Sequence, residues 1–360
     1  MRDAVRARRR AASGLLRSAP MSVTARASLD PRLRAVVVAR RPLLYANGAD
    51  DALDRPAHVR AGSAIARLGQ RLVVVQDDVS FVAVLSPDGA VSALPLPYAP
   101  GGARQFEKER GNKQHKLDLE ACVTLPDGRL LALGSGSTEV RERVLLARVT
   151  DGGDAAAQLL LVHARALYAA LRAERSFSGS ELNVEGAALL ASLGVLRLFQ
   201  RGNGAAIGEY APVDASCDVP IDGLLRYLDA PDTTPAPALR DVVRWELGAI
   251  DGTRLTFTDA AADAERVFFL AAAEASPNAY DDGPVAGVAL GVTDGLTAAT
   301  HARLAHLTDS SGALFLAKAE GLALDPDDES RAFVVLDLDD PARPSELCTL
   351  RLEGPWRGAA

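Results

Sequence analysis

The stretch NVEGAALLASLGVLRLFQRGN (residues 183–203) decides how the rest of the sequence is interpreted. It contains two short apolar runs that are separated by a turn, and polar residues gather at its two ends. Two such runs joined by a short turn predict a β-hairpin. Glu185 lies at the head of the first run, where a half-buried strand should not hold an ionised carboxylate unless something pairs with it.

Four other segments follow the same plan, with a small or acidic residue before an apolar run, a turn, and a second apolar run that ends in polar residues. They are GSAIARLGQRLVVVQDDVS (62–80), DLEACVTLPDGRLLALGSGST (118–138), FTDAAADAERVFFLAAAEAS (257–276) and AEGLALDPDDESRAFVVLDLDD (319–340). The leading residues are Ser63, Glu120, Glu185, Asp259 and Glu320, and the matching closing residues are Asp78, Ser135, Arg201, Glu274 and Asp337. Leading and closing residues are 15 to 17 positions apart in every unit, which indicates an internal repeat.

This repeat predicts an all-β fold, a β-propeller of four-stranded antiparallel blades. We count five blades, or six if residues 204–245 contain another. The early run RLRAVVVAR (32–40) is predicted to pair with the last unit and close the ring, which removes an exposed sheet edge. A β-sandwich of similar size is the alternative, but it does not explain the regular spacing. The expected domain is a single propeller over residues 31–355.

The bulk composition is that of a soluble globular protein, with 48% hydrophobic and 24% charged residues and a net charge of −7. An acidic body argues against nucleic acid or an anionic membrane as a partner. The three cysteines are far apart and form no CxxC, which is typical of a reducing compartment and favours a cytoplasmic protein. Residues 1–30 begin with a basic stretch and are interpreted as a disordered leader, with export by an atypical signal as the weaker alternative.

The predicted fold gives the lone carboxylates a common location. The first strand of a propeller blade lines the central channel, so Glu120, Glu185, Asp259 and Glu320 should ring one mouth of that channel. Four converging carboxylates raise one another's pKa unless they are neutralised. They can hold Ca²⁺ or another divalent cation, pair with Arg201 and backbone amides as structural staples, or stay protonated for acid–base chemistry.

These alternatives lead to a set of candidate site residues. Glu120 and Glu185 are the candidate catalytic acids or bases, with Arg201 placed to bind an anionic group, and the four ring carboxylates are the candidate metal ligands. The ends of the second runs should lie beside the ring at the same mouth, and with the loop after the fourth hairpin they supply the candidate substrate-binding residues: Ser135, Asn203, Glu274, Tyr280 and Asp281.

Five phrases resemble an uncharacterised bacterial propeller family: DLEACVTLPDGRLLALGSGS, NVEGAAL with LFQRGN, FTDAAAD, AYDDGPVAGVALG and AEGLAL. The resemblance covers about residues 60–352. They are more distantly similar to the phytase-like esterase domain and the gluconolactonase/regucalcin group. The resemblance implies the propeller fold. Gluconolactonase-type enzymes hold one divalent metal with a Glu, two Asn and an Asp, and Glu185 or Glu320 with Asn203 matches part of that set.

Other enzyme signatures do not occur. The sequence has no GxSxG elbow, and GNGAAIG lacks the spacing of a dinucleotide-binding loop, so no nucleotide cofactor is expected. The sequence therefore supports two hypotheses: a metal-dependent hydrolase of esters, lactones or phosphoesters, and a non-catalytic propeller whose channel carboxylates are structural. In both, a small polar or anionic ligand is expected at one channel mouth, and the oligomeric state stays open.

Overall fold

The computed structural model describes residues 23–149, 158–275, 283–297 and 300–358, and these ranges form an all-β protein. The strands are β1 (Val23–Leu29), β2 (Arg34–Pro42), β3 (Gly62–Leu68), β4 (Arg71–Gln76), β5 (Phe81–Leu85), β6 (Val91–Pro95), β7 (Leu119–Thr124), β8 (Leu130–Gly134), β9 (Arg143–Ala147), β10 (Leu159–His163), β11 (Val184–Leu190), β12 (Val195–Gln200), β13 (Asp214–Pro220), β14 (Arg240–Glu246), β15 (Ala249–Ile250), β16 (Thr253–Ala262), β17 (Val267–Glu274), β18 (Val285–Thr293), β19 (His301–Thr308), β20 (Lys318–Leu324), β21 (Arg331–Asp337) and β22 (Glu346–Glu353). The α-helices are α1 (Arg165–Ala173), α2 (Arg175–Ser178) and α3 (Ile221–Asp229).

The strands pair in antiparallel runs of four, which we number as groups in chain order. Group 1 (β3-β4-β5-β6) and group 2 (β7-β8-β9-β10) are separate sheets, and the other fourteen strands form one larger sheet. That sheet contains three further runs: group 3 (β11-β12-β13-β14), group 4 (β16-β17-β18-β19) and group 5 (β20-β21-β22-β2). Residues 204–245 supply the third and fourth strands of group 3, rather than another hairpin unit.

The last run confirms the predicted closure by an N-terminal strand. Strand β2 pairs antiparallel with β22 from Arg34↔Glu353 to Pro42↔Glu346. The edge that β22 would expose is therefore covered by a segment from the other end of the chain.

Strand β1 explains why three groups belong to one sheet. It runs parallel to β14 over Val23–Arg26 and parallel to β19 over Arg26–Leu29, so it connects the outer strands of groups 3 and 4. Two further pairs join β19 to β2. Residues 23–29 were predicted to be part of a disordered leader, but a period-2 alternation too short to stand out in the sequence gives them a place in the sheet, with Ala25 fully buried.

The first strands of the groups form a closed ring at the centre. Strand β3 contacts β7, β7 contacts β11, β11 contacts β16, β16 contacts β20, and β20 returns to β3. Five apolar cores fill the spaces between successive groups, since each buried cluster draws its residues from two neighbouring groups. Two facing sheets could not produce this ring, so the architecture is propeller-like and the sandwich alternative is excluded.

The helices fill in around this ring. The stretch 158–174 provides both a strand and a helix: β10 and then α1. The α1 helix buries Leu167, Tyr168 and Leu171 in the core between groups 2 and 3. No helix in the described part of the chain has the length and apolar character that crossing a membrane requires.

Replacement of Leu131 by Asp should unfold the protein. Leu131 is fully buried in β8 and packs in the core between groups 2 and 3. An unpaired charge there costs several kcal/mol against a total stability of about 5–15 kcal/mol. Thermal and urea unfolding would be compared with Leu160→Asp, a control in the same sheet whose side chain is 44% exposed. Equal melting of the two variants would show that the assignment of β8 is wrong.

Candidate functional site

The first strand of every group carries a β-bulge, and this bulge positions the site. The pairing register shifts by one residue at Ser63, Glu120, Glu185, Thr258 and Glu320. Four of these are the leading residues identified in the sequence. In group 4 the equivalent residue is Thr258, because the bulge lies between Phe257 and Asp259. A bulge interrupts the in–out alternation of a strand and redirects side chains.

A glycine follows the bulge in groups 3 and 5, where the neighbouring strand comes closest. A side chain at Gly186 would place its Cβ 3.0 Å from the backbone nitrogen of Ala260, and one at Gly321 would place it 2.7 Å from that of Ile65. The repeated Glu-Gly pair therefore combines a carboxylate at the channel mouth with a residue that lets the next group pack against it.

The two hydroxyl bulge residues join neighbouring groups directly. Ser63 Oγ donates to the carbonyl of Leu119 at 2.5 Å, and Thr258 Oγ1 donates to the carbonyl of Ala319 at 2.8 Å. Both acceptors immediately precede the bulge glutamate of the next group. These two positions are structural links rather than ligands.

Asp259 does not join the glutamates, contrary to its predicted place in the ring. It lies one residue beyond the bulge, is 1% exposed, and accepts a 2.7 Å hydrogen bond from the backbone nitrogen of Leu322 through Oδ2. Burial raises the pKa of this carboxyl well above its usual range. Asp259 was included among the predicted metal ligands because it is acidic, not because its register matches that of the glutamates. In the structure its hydrogen bond to Leu322 connects group 4 to group 5.

Three glutamates surround the guanidinium of Arg201. We call Arg201, Glu185, Glu274 and Glu320 the Arg201 cluster. Arg201 Nη2 contacts Glu274 Oε2 at 2.6 Å, while Nη1 lies 3.6 Å from Glu185 Oε2 and 3.7 Å from Glu320 Oε1. Nε donates to Thr256 Oγ1 at 3.2 Å. Burial alone would lower the pKa of Arg201, but Glu185, Glu320 and Glu274 together raise it, so the cluster always contains one positive charge.

Lys318 extends this cluster toward the rim. Its Nζ lies 3.5 Å from Glu320 Oε1 and 3.1 Å from Asp339 Oδ1. Within the described residues, Glu320 Oε2 is buried without a hydrogen-bond partner. Burial raises the pKa of Glu320 well above its usual range and raises that of Asp337 to about 7, although Lys318 opposes both shifts.

The group of carboxylates best suited to a cation is Asp77, Asp118 and Glu120, which we call the acidic triad. One oxygen from each residue lies within 4.8 Å of the others. Asp77 follows the second strand of group 1, Asp118 precedes the first strand of group 2, and Glu120 is the bulge residue of that strand. The triad thus bridges two groups.

The three triad residues have different electrostatic surroundings. Burial raises the pKa of Asp77 well above its usual range, although Lys116 opposes the shift. Burial opposes ionisation of Asp118, but Lys116 and Arg141 lower its pKa overall, and Arg141 lies 3.0 Å from it. Burial, with the charges of Asp77, Glu185 and Asp118, raises the pKa of Glu120 well above its usual range. No side chain in the described part of the chain donates a hydrogen bond to Glu120. Among the described residues it is therefore the member of the triad that forms no ion pair, since Lys116 contacts Asp77 and Asp118 and Arg141 contacts Asp118.

Several predicted substrate-binding residues prove to be supports for these two clusters. The Ser135 hydroxyl hydrogen-bonds to Asp118 and to Ser137, and Asn203 Oδ1 accepts from Asn183 Nδ2, which also donates to Glu185 at 2.7 Å. Glu274 is bound to Arg201, as described above. Tyr280 and Asp281 lie outside the described residues.

Sequence reasoning missed Asp77, Asp118 and Lys116. The repeat was aligned on one leading and one closing residue per unit, and strict alternation would place the neighbours of these residues on the opposite face. The bulge at Glu120 removes that restriction, and Asp118 also adopts a left-handed conformation with φ of 55°. The one available signal was the density of acids in the phrases QDD (76–78) and DLE (118–120).

A pocket of about 180 Å³ adjoins the triad and shares Asp77 with it. It lies between segment 106–113 and the turn at 337–341, and Arg60 forms one wall. Arg60 pairs with Asp78 and Glu107, each at 2.5 Å. The segment 103–116 is therefore partly packed against this pocket.

Stability should fall as the pH rises from 5 to 8 in the absence of divalent cations. Asp337, with a pKa of about 7 when folded and about 4 when unfolded, binds more protons in the folded state between those values. Each pH unit in this window therefore removes up to about 1.4 kcal/mol per such group. Urea unfolding with EDTA should give a shallower pH slope for Asp337→Asn than for the wild type. Stability that rises with pH in the wild type would contradict the assignment.

Comparisons with known proteins complete the description of the site. A family model described as "Family of unknown function (DUF6929)" matches residues 58–352. Comparison with curated proteins gives no match. Three solved structures are similar: Myxococcus xanthus glutaminyl cyclase (12% identity, TM-score 0.45, covering 92% of this chain and 99% of that one), Penicillium chrysogenum α-L-arabinanase complexed with arabinobiose (10%, 0.41, 81% and 93%), and a luciferin-regenerating enzyme (8%, 0.38, 82% and 94%). Similarity at this level assigns no activity.

Proposed function

Because the chain belongs to the DUF6929 family, which has no known function, we propose from its geometry that it is a divalent-cation-dependent hydrolase of esters, lactones or phosphoesters. The observation that carries the proposal is the acidic triad, in which three carboxylates approach within 4.8 Å and Glu120 has no donor among the described residues.

The scaffold of the proposed enzyme is a propeller of five four-stranded blades, one for each group. The closed ring of first strands and the five cores between successive groups support this count. The N-terminal β2 would complete the fifth blade. On this scaffold, the bulge glutamates of blades 2, 3 and 5 share a single mouth.

The donor set of the triad favours a hard cation. Ca²⁺, Mg²⁺ and Mn²⁺ prefer oxygen ligands, and the triad provides only carboxylate oxygens. A bound divalent cation would polarise the scissile carbonyl or phosphoryl oxygen and lower the pKa of a bound water.

The remaining mouth residues have separate roles in this proposal. Glu185, whose pKa burial raises, is assigned as the acid or base near the triad. Arg201 Nη1 lies more than 3.5 Å from both Glu185 and Glu320, beyond ordinary hydrogen-bond length, and it is assigned to an anionic oxygen of the substrate.

Glu120→Gln should abolish binding of divalent cations while the fold is retained. The change keeps the shape of the side chain and removes one ligand charge. Wild-type protein at a cation concentration 100 times Kd should gain about 2.7 kcal/mol of stability, and the variant should lose most of that gain. Calorimetric titration with Ca²⁺, Mg²⁺ and Mn²⁺ measures this, with the exposed Glu246→Gln as the control.

Hydrolysis of p-nitrophenyl acetate and p-nitrophenyl phosphate, with Mn²⁺ and with EDTA, then tests the reaction. Activity should depend on the cation and should be lost in Glu120→Gln. If the wild type binds none of the three cations, the proposal fails.

A second candidate function is a non-catalytic propeller that binds a ligand or a protein at the same mouth. The Arg201 cluster favours it, because one guanidinium already gathers glutamates from groups 3, 4 and 5 and neutralises part of their charge. Such a network can be purely structural.

Glu185→Gln separates the two candidates. We expect the metal-free variant to stay within about 1 kcal/mol of the wild type, because Arg201 keeps Glu274 and Glu320 while one of several like charges is removed. A loss of about 3–5 kcal/mol that is the same with EDTA and with Ca²⁺ would instead support the structural role. Urea unfolding under both conditions gives the answer.

A further inference from the structure

The outer strand of group 2, β10, has an edge that no other strand covers. Among the described residues it pairs with β9 alone. The backbone nitrogen of Arg148 donates to the carbonyl of Gln158, which fixes the alternation of hydrogen bonds between the two strands. Every second residue of β10 therefore directs its N–H and C=O groups away from the sheet, and these residues are Leu159, Leu161 and His163. None of the six groups has a backbone partner in the described part of the chain.

The other four outer strands are paired or protected. Strand β1 pairs with both β14 and β19, while β2 pairs in part with β19 and carries a bulge and several arginines. In β6 the carbonyl of Val91 accepts a hydrogen bond from the backbone nitrogen of Ala46, and Pro95 has no N–H to offer. Pairing, proline, bulges and charged side chains are the features that keep a sheet edge from binding another chain. Strand β10, with the sequence LLLVH, contains no proline, bulge, lysine or arginine.

We propose that this edge is a dimer interface, at which β10 pairs antiparallel with β10 of a second copy about a two-fold axis at Leu161. In this register Leu161 lies opposite its own copy, and Leu159 lies opposite His163. The three residue pairs exchange two hydrogen bonds each, which satisfies all the outward groups of both strands and is the most that any two-fold register within β10 gives. A two-fold interface uses the same surface on both copies and closes at a dimer. The inference does not depend on the proposed function.

The side chains of this register favour a second copy as the occupant of the edge. Leu160, which is 44% exposed, lies opposite Val162, and Leu161 lies opposite itself, so apolar residues meet across the interface. Residues 158–162 carry no charge. Arg165 lies four residues from the axis, so its two copies are roughly 27 Å apart at about 3.4 Å per residue, well beyond a Debye length of about 8 Å. Among the described outer strands, β10 is also the one whose outward groups are all available to match this edge.

Analytical ultracentrifugation of the wild type from about 1 μM to about 1 mM tests the inference. The mass should rise from 37.8 kDa toward twice that value and stop there. Pairing through one short strand forms a small interface, so the dimer should dissociate on dilution. A mass of 37.8 kDa at every concentration overturns the inference, and so does growth beyond two copies.

A charge exchange at the axis tests the register. Leu161→Lys places two like charges opposite each other and should weaken the dimer at least about tenfold, and Leu161→Glu should do the same. An equimolar mixture of the two variants should dimerise again, because opposite charges then meet at the axis. Leu193→Lys is the control, because Leu193 is 40% exposed in the turn between β11 and β12 and its replacement should leave the dimer unchanged.

Circular dichroism and melting curves would establish that the variants keep the fold, because Leu161 also packs in part against the core between groups 1 and 2. A dimer of either single variant as tight as that of the wild type overturns the inference, since another surface would then hold the copies together. A mixture of the two folded variants that stays monomeric also overturns it.

Amide hydrogen exchange of the wild type provides a test that needs no variant. The amides of Leu159, Leu161 and His163 should be protected at a concentration where the dimer forms and should exchange faster after dilution to the monomer. Equal exchange at the two concentrations contradicts pairing between copies. Strong protection of these amides in the monomer contradicts it as well, because a segment of the same chain would then cover the edge.

Discussion

The close approach of the first strands around one axis is the constraint on which the rest of this structure depends. It brings the bulge residues of neighbouring groups into one poorly hydrated space, where carboxylates cannot remain ionised without counter-charges. Arg201 from group 3 contacts glutamates of groups 3, 4 and 5, and Lys116 contacts aspartates that belong to groups 1 and 2. The same charges that make the mouth chemically interesting therefore also hold the ring together.

The mouth is not symmetric, although the repeat that forms it is regular. Hydroxyl residues occupy the bulge in groups 1 and 4, and each donates to the backbone of the following group. Glutamates occupy it in groups 2, 3 and 5, and their charges divide between the triad and the Arg201 cluster. The bulge position thus carries a hydroxyl that links neighbouring groups in two cases and a titratable glutamate in the other three. A regular repeat can in this way produce one asymmetric cluster of carboxylates.

The sequence predicts the hairpins and the closing strand well, because both depend on the order of apolar residues along the chain. The run at 32–40 pairs with the last strand as expected, and four of five leading residues occupy the bulge. The exception is Asp259, which was aligned with the other leading residues because it is acidic. The bulge of this strand is at Thr258, because strand register is set by backbone pairing and not by side-chain charge. Asp77, Asp118 and Lys116 could not be assigned because a bulge cancels the alternation from which side-chain direction is deduced. The parallel pairing of β1 was missed because it links residues more than 200 positions apart and because the alternation within β1 is too short to stand out.

Strand β1 makes the seams of the ring unequal. It lies across the outer strands of groups 3 and 4, and β2 joins β19 at the next seam, whereas β6 and β10 are the last strands of their own sheets. Among the described residues, groups 1 and 2 share no paired strand with another group at the periphery, where the backbone nitrogen of Ala46 donates a hydrogen bond to the carbonyl of Val91 in β6. Backbone amides there should exchange with solvent before those of groups 3 to 5. The acidic triad lies between these two groups, so an ion bound to it would cross-link the part of the ring that has the fewest peripheral backbone pairs. Loss of such an ion would first increase local opening of groups 1 and 2, before global unfolding of the protein.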